Sequence, residues 1–195
     1  MQIAPWLLAT PGASRVVMDV QFPYSRKSLI ELLGTEPSQY CSMDVARDLA
    51  TAAFERACTL YEDEDSEAER SSGSTFESSC PKTVGVGCTA SLRSEPMKRG
   101  EHRCFLAVRT ASGMHEISLT LAKGARSREV EDAVVSRLAL LSLAHVCKVD
   151  DAPAPGDDPE ADKFWQLVDD QLAQASSSSD FGCSEDCLEV AYRAL

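Results

Sequence analysis

The 195-residue chain lacks several features that would place it in a common functional class. No apolar run approaches the length of a membrane span, and the first residues lack the basic segment of a signal peptide. No stripe of Lys and Arg with interleaved aromatic residues is present, which disfavours nucleic acid as a partner. His102, His115 and His145 are far apart, with no carboxylate at ligand spacing. We therefore expect a cytoplasmic protein without a metal or other cofactor, and without membrane or nucleic-acid partners.

Cysteine is plentiful, with eight residues, but the chain contains no Cys-x-x-Cys motif. The spacing of Cys183 and Cys187 is not accompanied by a second pair or a nearby histidine, as a zinc site would require. Cys58, Cys104 and Cys147 lie within apolar periodic runs, where a thiol behaves as a small buried hydrophobe. We therefore predict that the cysteines are reduced and structural.

The formal net charge of -12 is concentrated in two segments. Residues 61–82 and 149–195 together carry 4 Lys and Arg against 19 Asp and Glu. The remaining residues carry 15 Lys and Arg against 12 Asp and Glu, so the parts that can fold are slightly basic. The overall acidity therefore does not exclude a phosphate-bearing small molecule as a ligand.

The first half of the chain predicts one strand and two helices. Residues 16–22 are almost all apolar and rich in β-branched side chains, which predicts a strand buried on both faces. Ser25 and Gly34 have the residue types that begin and end helices, and Ser42 can cap a second helix that continues to about Tyr61. Residues 62–82 are acidic and serine-rich, and we predict a disordered insertion there.

The second half predicts a hairpin, another helix and an acidic tail. Short β-rich runs begin near Thr83, His102 and Met114, and residues 111–113 have the composition of a hairpin turn. Ser127, followed by acidic residues, predicts a long helix that ends near Cys147. We assign residues 1–148 to one domain and residues 149–195 to an acidic tail with one or two short helices, of which residues 162–175 are the best candidate.

Several local motifs support a family resemblance. Pro-Gly-Ala-Ser occupies residues 11–14, Pro-Tyr-Ser residues 23–25 and Leu-Leu-Gly residues 32–34. In this order, residues 5–148 resemble the CinA carboxy-terminal domain family, whose active members are nicotinamide mononucleotide amidases. The motifs at residues 37–42, 98–103 and 126–135 are similar to a eukaryotic branch in which this domain precedes a nucleotidyltransferase domain. The resemblance implies a three-layer α/β/α sandwich, here lacking the family's first strand.

The resemblance also implies a site. Tyr24 is the candidate catalytic residue, and Lys27 lies two positions before the family's lysine. Ser25, Thr89, Ser91 and Arg126 correspond to ligand and phosphate contacts. The family's catalytic serine, in a Ser-Cys-Thr-Gly-Gly type of loop, is absent from these residues, and one loop glycine is Ala90. From the residues alone, a tyrosine such as Tyr24 is more often a residue at the rim of a domain than a functional one, and Arg126 is as readily a solvated arginine as a phosphate ligand.

The expected function is therefore that of a CinA-like domain that binds a pyridine mononucleotide or a similar phosphate without amidase activity. One alternative is an active nicotinamide-nucleotide amidase whose serine comes from residues upstream of Met1. Another is a regulatory or dimerisation domain for a nucleotidyltransferase, so that the partners include such a domain or a second copy of the chain. No His-x-x-His motif of a nucleotidyltransferase occurs in these residues.

Overall fold

The computed structural model describes residues 1–9, 11–72, 83–96, 99–147 and 187–194; for residues 62–72, 190 and 192–194 only the backbone is described. The helices are α1 (Ile3–Leu8), α2 (Arg26–Leu33), α3 (Met43–Ser72) and α4 (Arg128–Cys147). A short 3-10 turn at Ala13–Arg15 follows α1. The strands are β1 (Gly85–Ser91), β2 (His102–Arg109), β3 (Gly113–Leu121) and β4 (Cys187–Ala194). None of the described helices combines the length and apolarity needed to cross a membrane.

The four strands form one antiparallel sheet in the order β1-β2-β3-β4. In the turn between β2 and β3, the Thr110 amide donates to the Gly113 carbonyl at 2.9 Å, which closes the hairpin predicted at residues 111–113. Helices pack against this sheet, so the chain has an α/β fold.

Successive side chains along a strand point to opposite faces of the sheet, so the apolar core is divided between the two faces. On one face, Cys104 and Leu106 of β2 pack with Val134 and Leu138 of α4. On the other face, Ala107 packs with two alanines of α3, Ala46 and Ala50. Helices α3 and α4 therefore lie on opposite faces of the sheet.

The three predicted helix starts are confirmed by side-chain caps. The hydroxyl oxygen of Ser25 accepts the Ser28 amide at 3.2 Å, and those of Ser42 and Ser127 accept the amides of Val45 and Val130, each at 3.3 Å. Gly34 ends α2 with a φ of 70°, a left-handed conformation that favours glycine. These interactions are local, so the sequence contains the information that places them.

The predicted strand at residues 16–22 is wrong. Residue 16 is in a turn, and residues 17–24 belong to neither a helix nor a strand. Val16 and Phe22 are 78% and 58% exposed, whereas the prediction had both faces buried. An apolar β-rich run becomes a strand only where a neighbouring strand accepts its backbone hydrogen bonds, and the sequence pattern does not report whether that neighbour exists.

Two further elements differ from the prediction. Helix α3 does not end near Tyr61 but continues to Ser72, through residues such as Glu, Ala and Arg that have high helix propensity, so the predicted disorder is wrong for residues 62–72. Residues 187–194, which were assigned to the acidic tail, form β4 against β3. The alternation of Leu188, Val190 and Tyr192 was the available signal for this strand. The remainder of the insertion, residues 73–82, and the helix predicted at residues 162–175 lie outside the described residues.

Helix α3 approaches β1 very closely, and two glycines make this possible. A Cβ atom added to Gly87 would lie well inside the contact distance of the Ala46 carbonyl oxygen and 2.8 Å from the Leu49 Cβ. A Cβ atom at Gly85 would meet the Ala50 carbonyl in the same way, and would lie 2.7 Å from the Phe54 Cβ. Each glycine therefore holds a position where the helix backbone rests directly on the strand backbone.

Candidate functional site

The carboxyl end of β1 lies between the first turns of the two long helices. On the α3 face, the Thr89 hydroxyl donates to the Ser42 carbonyl at 3.3 Å. On the α4 face, the backbone amide of Arg93, just after β1, donates to Oε2 of Glu131 at 2.7 Å. We call this region the β1 end: Thr89, Ser91, Arg93 and the first turns of α3 and α4. The amino ends of both helices bring partial positive charge to it.

Arginine side chains cluster on the α4 face of the β1 end. Arg93 donates from Nη1 to the Arg126 carbonyl at 2.9 Å, and Arg128 donates from Nη1 to the Arg93 carbonyl at 2.7 Å. Arg126 is buried, whereas Arg128 is exposed. These bonds fix the loop after β1 against the start of α4, with the Arg93 guanidinium at the Arg126 carbonyl and the Arg128 guanidinium at the Arg93 carbonyl.

A buried acid and a histidine hold the same loop from inside. Oε1 of Glu131 lies 2.6 Å from Nδ1 of His102, and its Oε2 accepts the Arg93 amide. Glu131 and His102 are 0% and 1% exposed. Nε2 of His102 is buried and has no hydrogen-bond partner among the described residues. A buried carboxylate with two donors is satisfied, so we assign Glu131 to positioning the loop and the imidazole.

Three of the predicted site residues lie near this end of the sheet, but on its two opposite faces. Thr89 and Ser91 lie in β1, on the strand positions that alternate toward α3, and Ser91 is opposite Arg103 of β2. Arg126 lies on the other face and is joined to the end of β1 through Arg93. Arg126 is 6% exposed, so it is not the solvated arginine that the sequence left open as an alternative.

The other three predicted residues lie at the start of α2, a helix that contacts α3. Tyr24 is 92% exposed, and because residues 16–22 form no strand, it does not stand at a strand end. The Ser25 hydroxyl caps α2. Lys27 lies 4.0 Å from Glu31 in an exposed pair one helical turn apart. These contacts are those of a solvated helix start.

Sequence reasoning missed Arg93, His102 and Glu131 as a unit. Arg93 follows a strand end, and Glu131 was interpreted only as a helix-start acid, a role that is normally solvated. The buried pair between Glu131 and His102 depends on the packing of α4 on β2, which no local pattern encodes. The only available signal was the absence of an apolar residue at position 131, where the helical periodicity of α4 turns toward the sheet.

Of the three cysteines predicted as reduced, buried thiols, Cys104 confirms the prediction, and Cys58 and Cys147 correct it. Cys104 is a free, buried thiol with its Sγ 3.5 Å from that of Cys88, and the pKa of Cys104 is raised by the hydrogen bond with Cys88 and by burial. Cys58 is disulfide-bonded, so the prediction that all the cysteines are reduced is wrong there. Cys147 is exposed rather than packed in the core.

Two histidines that are distant in sequence meet between β3 and α4. The rings of His115 and His145 have centroids 6.0 Å apart in an edge-to-face arrangement. Burial and the nearby His145 lower the pKa of His115 to about 4, and burial lowers the pKa of His145. Within the described part of the chain, no group of three His, Cys, Asp or Glu side chains could hold a metal ion.

This histidine pair predicts a loss of stability in mild acid. Because the pKa of His115 is about 4 when folded and about 6.5 when unfolded, the unfolded chain binds the proton more readily between these values. Stability is therefore fully present above pH 6.5 and falls as the pH drops toward 4. We expect His115 to account for about 2 kcal/mol of the loss between pH 7.5 and 5.

Urea unfolding of the wild type and of His115→Gln at these two pH values measures this contribution. The variant should show a smaller fall in its free energy of unfolding. Equal falls in the two proteins would contradict the assignment to His115.

Comparisons with protein-family models, with curated proteins and with solved structures found no match to this chain.

Proposed function

We propose that this chain is a CinA-like nucleotide-binding domain that has no amidase activity in this form. Its ligand is a pyridine mononucleotide or a similar small phosphate ester, and it binds at the β1 end. The observation that carries the proposal is the convergence of two helix starts with the guanidinium groups of Arg93 and Arg128 and with the backbone of Arg126. The CinA-like type of sandwich is part of the same proposal and rests on the motif resemblance.

The chemistry of the β1 end suits a phosphate monoester. Guanidinium groups bind phosphate oxygens through paired N–H donors, and the first amides of a helix have no partner within the helix. Arg128 is exposed and lies in the first turn of α4, so it can reach an anion from solvent. Thr89 and Ser91 add hydroxyl groups on the α3 side of the same strand end.

The predicted catalytic residues do not form a hydrolytic centre. Amide hydrolysis by serine needs a base within hydrogen-bond reach of the hydroxyl. Ser25 caps α2, Lys27 lies beside Glu31, and Tyr24 is almost fully solvated. The serine loop that the resemblance implies is not among these 195 residues. An amidase would therefore need its nucleophile from elsewhere.

We further propose a cytoplasmic location and, following the resemblance, an association with a nucleotidyltransferase domain. Five of the six described cysteines are free thiols, the state that a reducing compartment maintains, and Cys58 is disulfide-bonded.

Thermal unfolding with and without millimolar nicotinamide mononucleotide tests the binding proposal. A ligand that binds only the folded chain raises the midpoint, by about 3 °C at roughly ten times its dissociation constant. Ammonia release should stay at the level of the buffer blank. No rise in the midpoint at saturating ligand would contradict nucleotide binding, and ammonia release by the purified chain would contradict the absence of amidase activity.

Two arginine variants locate the ligand. Arg128→Gln removes an exposed guanidinium from the β1 end, and we expect the midpoint rise to be reduced at the same ligand concentration. Arg15→Gln removes the same charge from an exposed position in the 3-10 turn after α1. An equal reduction in both variants would indicate a general charge effect and contradict binding at the β1 end.

A further inference from the structure

The thiols of Cys88 and Cys104 are in contact across strands β1 and β2. Their Sγ atoms are 3.5 Å apart. In the ladder Cys88 is opposite Leu106 and Cys104 is opposite Ala90, so the two cysteines meet along a diagonal, on the face of the sheet that α4 covers. A disulfide between them needs a further approach of the two sulfur atoms, which side-chain rotation and a small shift of β1 can supply.

The two thiols differ in their access to solvent. Cys88 is half-buried, whereas Cys104 is 1% exposed. Ala90 lies two residues after Cys88 on the same face of β1, is exposed, and has only a methyl side chain. Strand β1 is also an outer strand of the described sheet. A small oxidant from solvent therefore reaches Cys88 before it reaches Cys104.

The proton on Cys104 gives the two thiols different chemical roles. The hydrogen bond with Cys88 and burial raise the pKa of Cys104, so this thiol keeps its proton. Its S–H group can then donate to the sulfur of Cys88. Because the thiolate is the reactive form of a cysteine, Cys88 is the group that attacks an oxidant, and Cys104 reacts second.

The surroundings of the pair favour oxidation over metal binding. A third thiol is nearby, since Sγ of Cys41 donates to the carbonyl of Arg103 at 3.9 Å. Even so, no three side chains of the described residues are grouped so that they could hold a metal ion. Two thiols in contact can form a disulfide, and in a reducing compartment such disulfides are usually transient and redox-sensing.

We propose that Cys88 and Cys104 form a dithiol site that hydrogen peroxide oxidises reversibly. The sulfur of Cys88 attacks one oxygen of the peroxide, the O–O bond breaks, water leaves, and Cys88 becomes a sulfenic acid. The sulfur of Cys104 then attacks that of Cys88, the S–O bond breaks, and hydroxide leaves as water with the proton of Cys104. Two thiols are oxidised to one disulfide, peroxide is reduced to water, and a dithiol reductant restores both thiols.

Peptide mapping of the full chain tests the proposal. The reduced, folded chain is treated with hydrogen peroxide, its remaining thiols are blocked with iodoacetamide, and it is digested with trypsin. We expect residues 83–93 linked to residues 104–109, which contain one cysteine each, and dithiothreitol should remove the link. Peroxide treatment in urea should give about tenfold less of this pair, because only the fold holds the two thiols together. Absence of the linked pair, or equal yields with and without urea, would overturn the proposal.

Two variants test the order of the two steps. In Cys104→Ala the sulfenic acid on Cys88 has no thiol to react with, so dimedone should label residues 83–93 about tenfold more than in the wild type. Cys88→Ala should leave Cys104 unoxidised under the same conditions. Circular dichroism checks that both variants are folded, and the mapping of the wild type needs neither of them.

Cys147→Ala is the matched control, because it removes an exposed thiol at the end of α4. It should leave the yield of the linked pair unchanged. A wild-type link from residues 83–93 to residues 28–47, which contain Cys41, would show that Cys104 is not the partner and would contradict the site as proposed.

Discussion

Replacing Gly87 with alanine is expected to remove about 3 kcal/mol from the free energy of unfolding, because the added methyl group has no room. Its position conflicts with the Ala46 carbonyl oxygen and lies 2.8 Å from the Leu49 Cβ. The conflict is mainly with backbone, which cannot move aside as a flexible side chain would. Helix α3 must therefore lift from the sheet, and the packing of Ala46 and Ala50 on Ala107 is lost with it.

Urea unfolding followed by circular dichroism measures this loss as a lower midpoint of about 1–2 M at an unchanged slope. Gly100→Ala is the matched control, because a Cβ atom there meets nothing within 4 Å. That variant should be neutral, or more stable by up to about 1 kcal/mol through the lower entropy of its unfolded chain. Equal midpoints for the two variants would show that α3 does not rest on Gly87.

Replacing Glu131 with alanine should cost about 2–5 kcal/mol, since two buried groups lose their hydrogen-bond partner at roughly 1–3 kcal/mol each. The Arg93 amide and Nδ1 of His102 would both lose the oxygen that they contact. At the β1 end, the loop after β1 would then be released from α4. We therefore expect lower stability together with weaker binding of nicotinamide mononucleotide, measured by titration below the new unfolding midpoint.

Glu129→Ala is the control for that experiment. Glu129 lies in the same first turn of α4 but is exposed, so its loss should cost only the helix-dipole contribution of about 0.3–1 kcal/mol. If both alanine variants lose the same stability, the buried contacts of Glu131 contribute nothing and its positioning role is wrong. Glu131→Gln should fall between them, because it keeps the shape and one acceptor.

The elements that could be predicted from the sequence are those with local signals. Ser25, Ser42 and Ser127 were predicted as helix starts, and each forms its cap within three residues along the chain. The hairpin of β2 and β3 was predicted from a short polar turn between two β-rich runs. In each of these cases the residues that form the cap or the turn are close together in sequence. The residue types seen in the sequence are therefore the same ones that make the hydrogen bonds in the structure.

The elements that could not be predicted depend on distant partners. Residues 16–22 have the composition of a buried strand, yet no described strand pairs with them. The opposite error occurred at β4, where an apparent tail forms a strand because the outer edge of β3 accepts it. Whether a neighbour is available is a property of the assembled sheet, and a single sequence does not report it.

The residues of the candidate site also divide into those whose position could be predicted from the sequence and those whose position could not. Thr89, Ser91 and Arg126 were selected by resemblance; Thr89 and Ser91 lie near the carboxyl end of β1, and Arg126 is joined to the loop after β1 through Arg93, on the other face of the sheet. Tyr24 was predicted at the end of a strand that does not exist, so its position was wrong for the same reason as the strand. The link between Glu131 and Arg93 spans two elements that meet only after α4 has packed on the sheet.

The late position of β4 has a consequence for biosynthesis. Its partner β3 ends at Leu121, and the ribosome must add about 65 further residues before Cys187 is made, which takes roughly 3–13 s at ordinary elongation rates. During that interval the β1–β3 meander can form from contacts that are close in sequence, while the outer edge of β3 offers unpaired amides and carbonyls. The nascent chain therefore passes through a period of several seconds in which this edge is open to chaperones or to neighbouring nascent chains, and synthesis of residues 187–194 closes it.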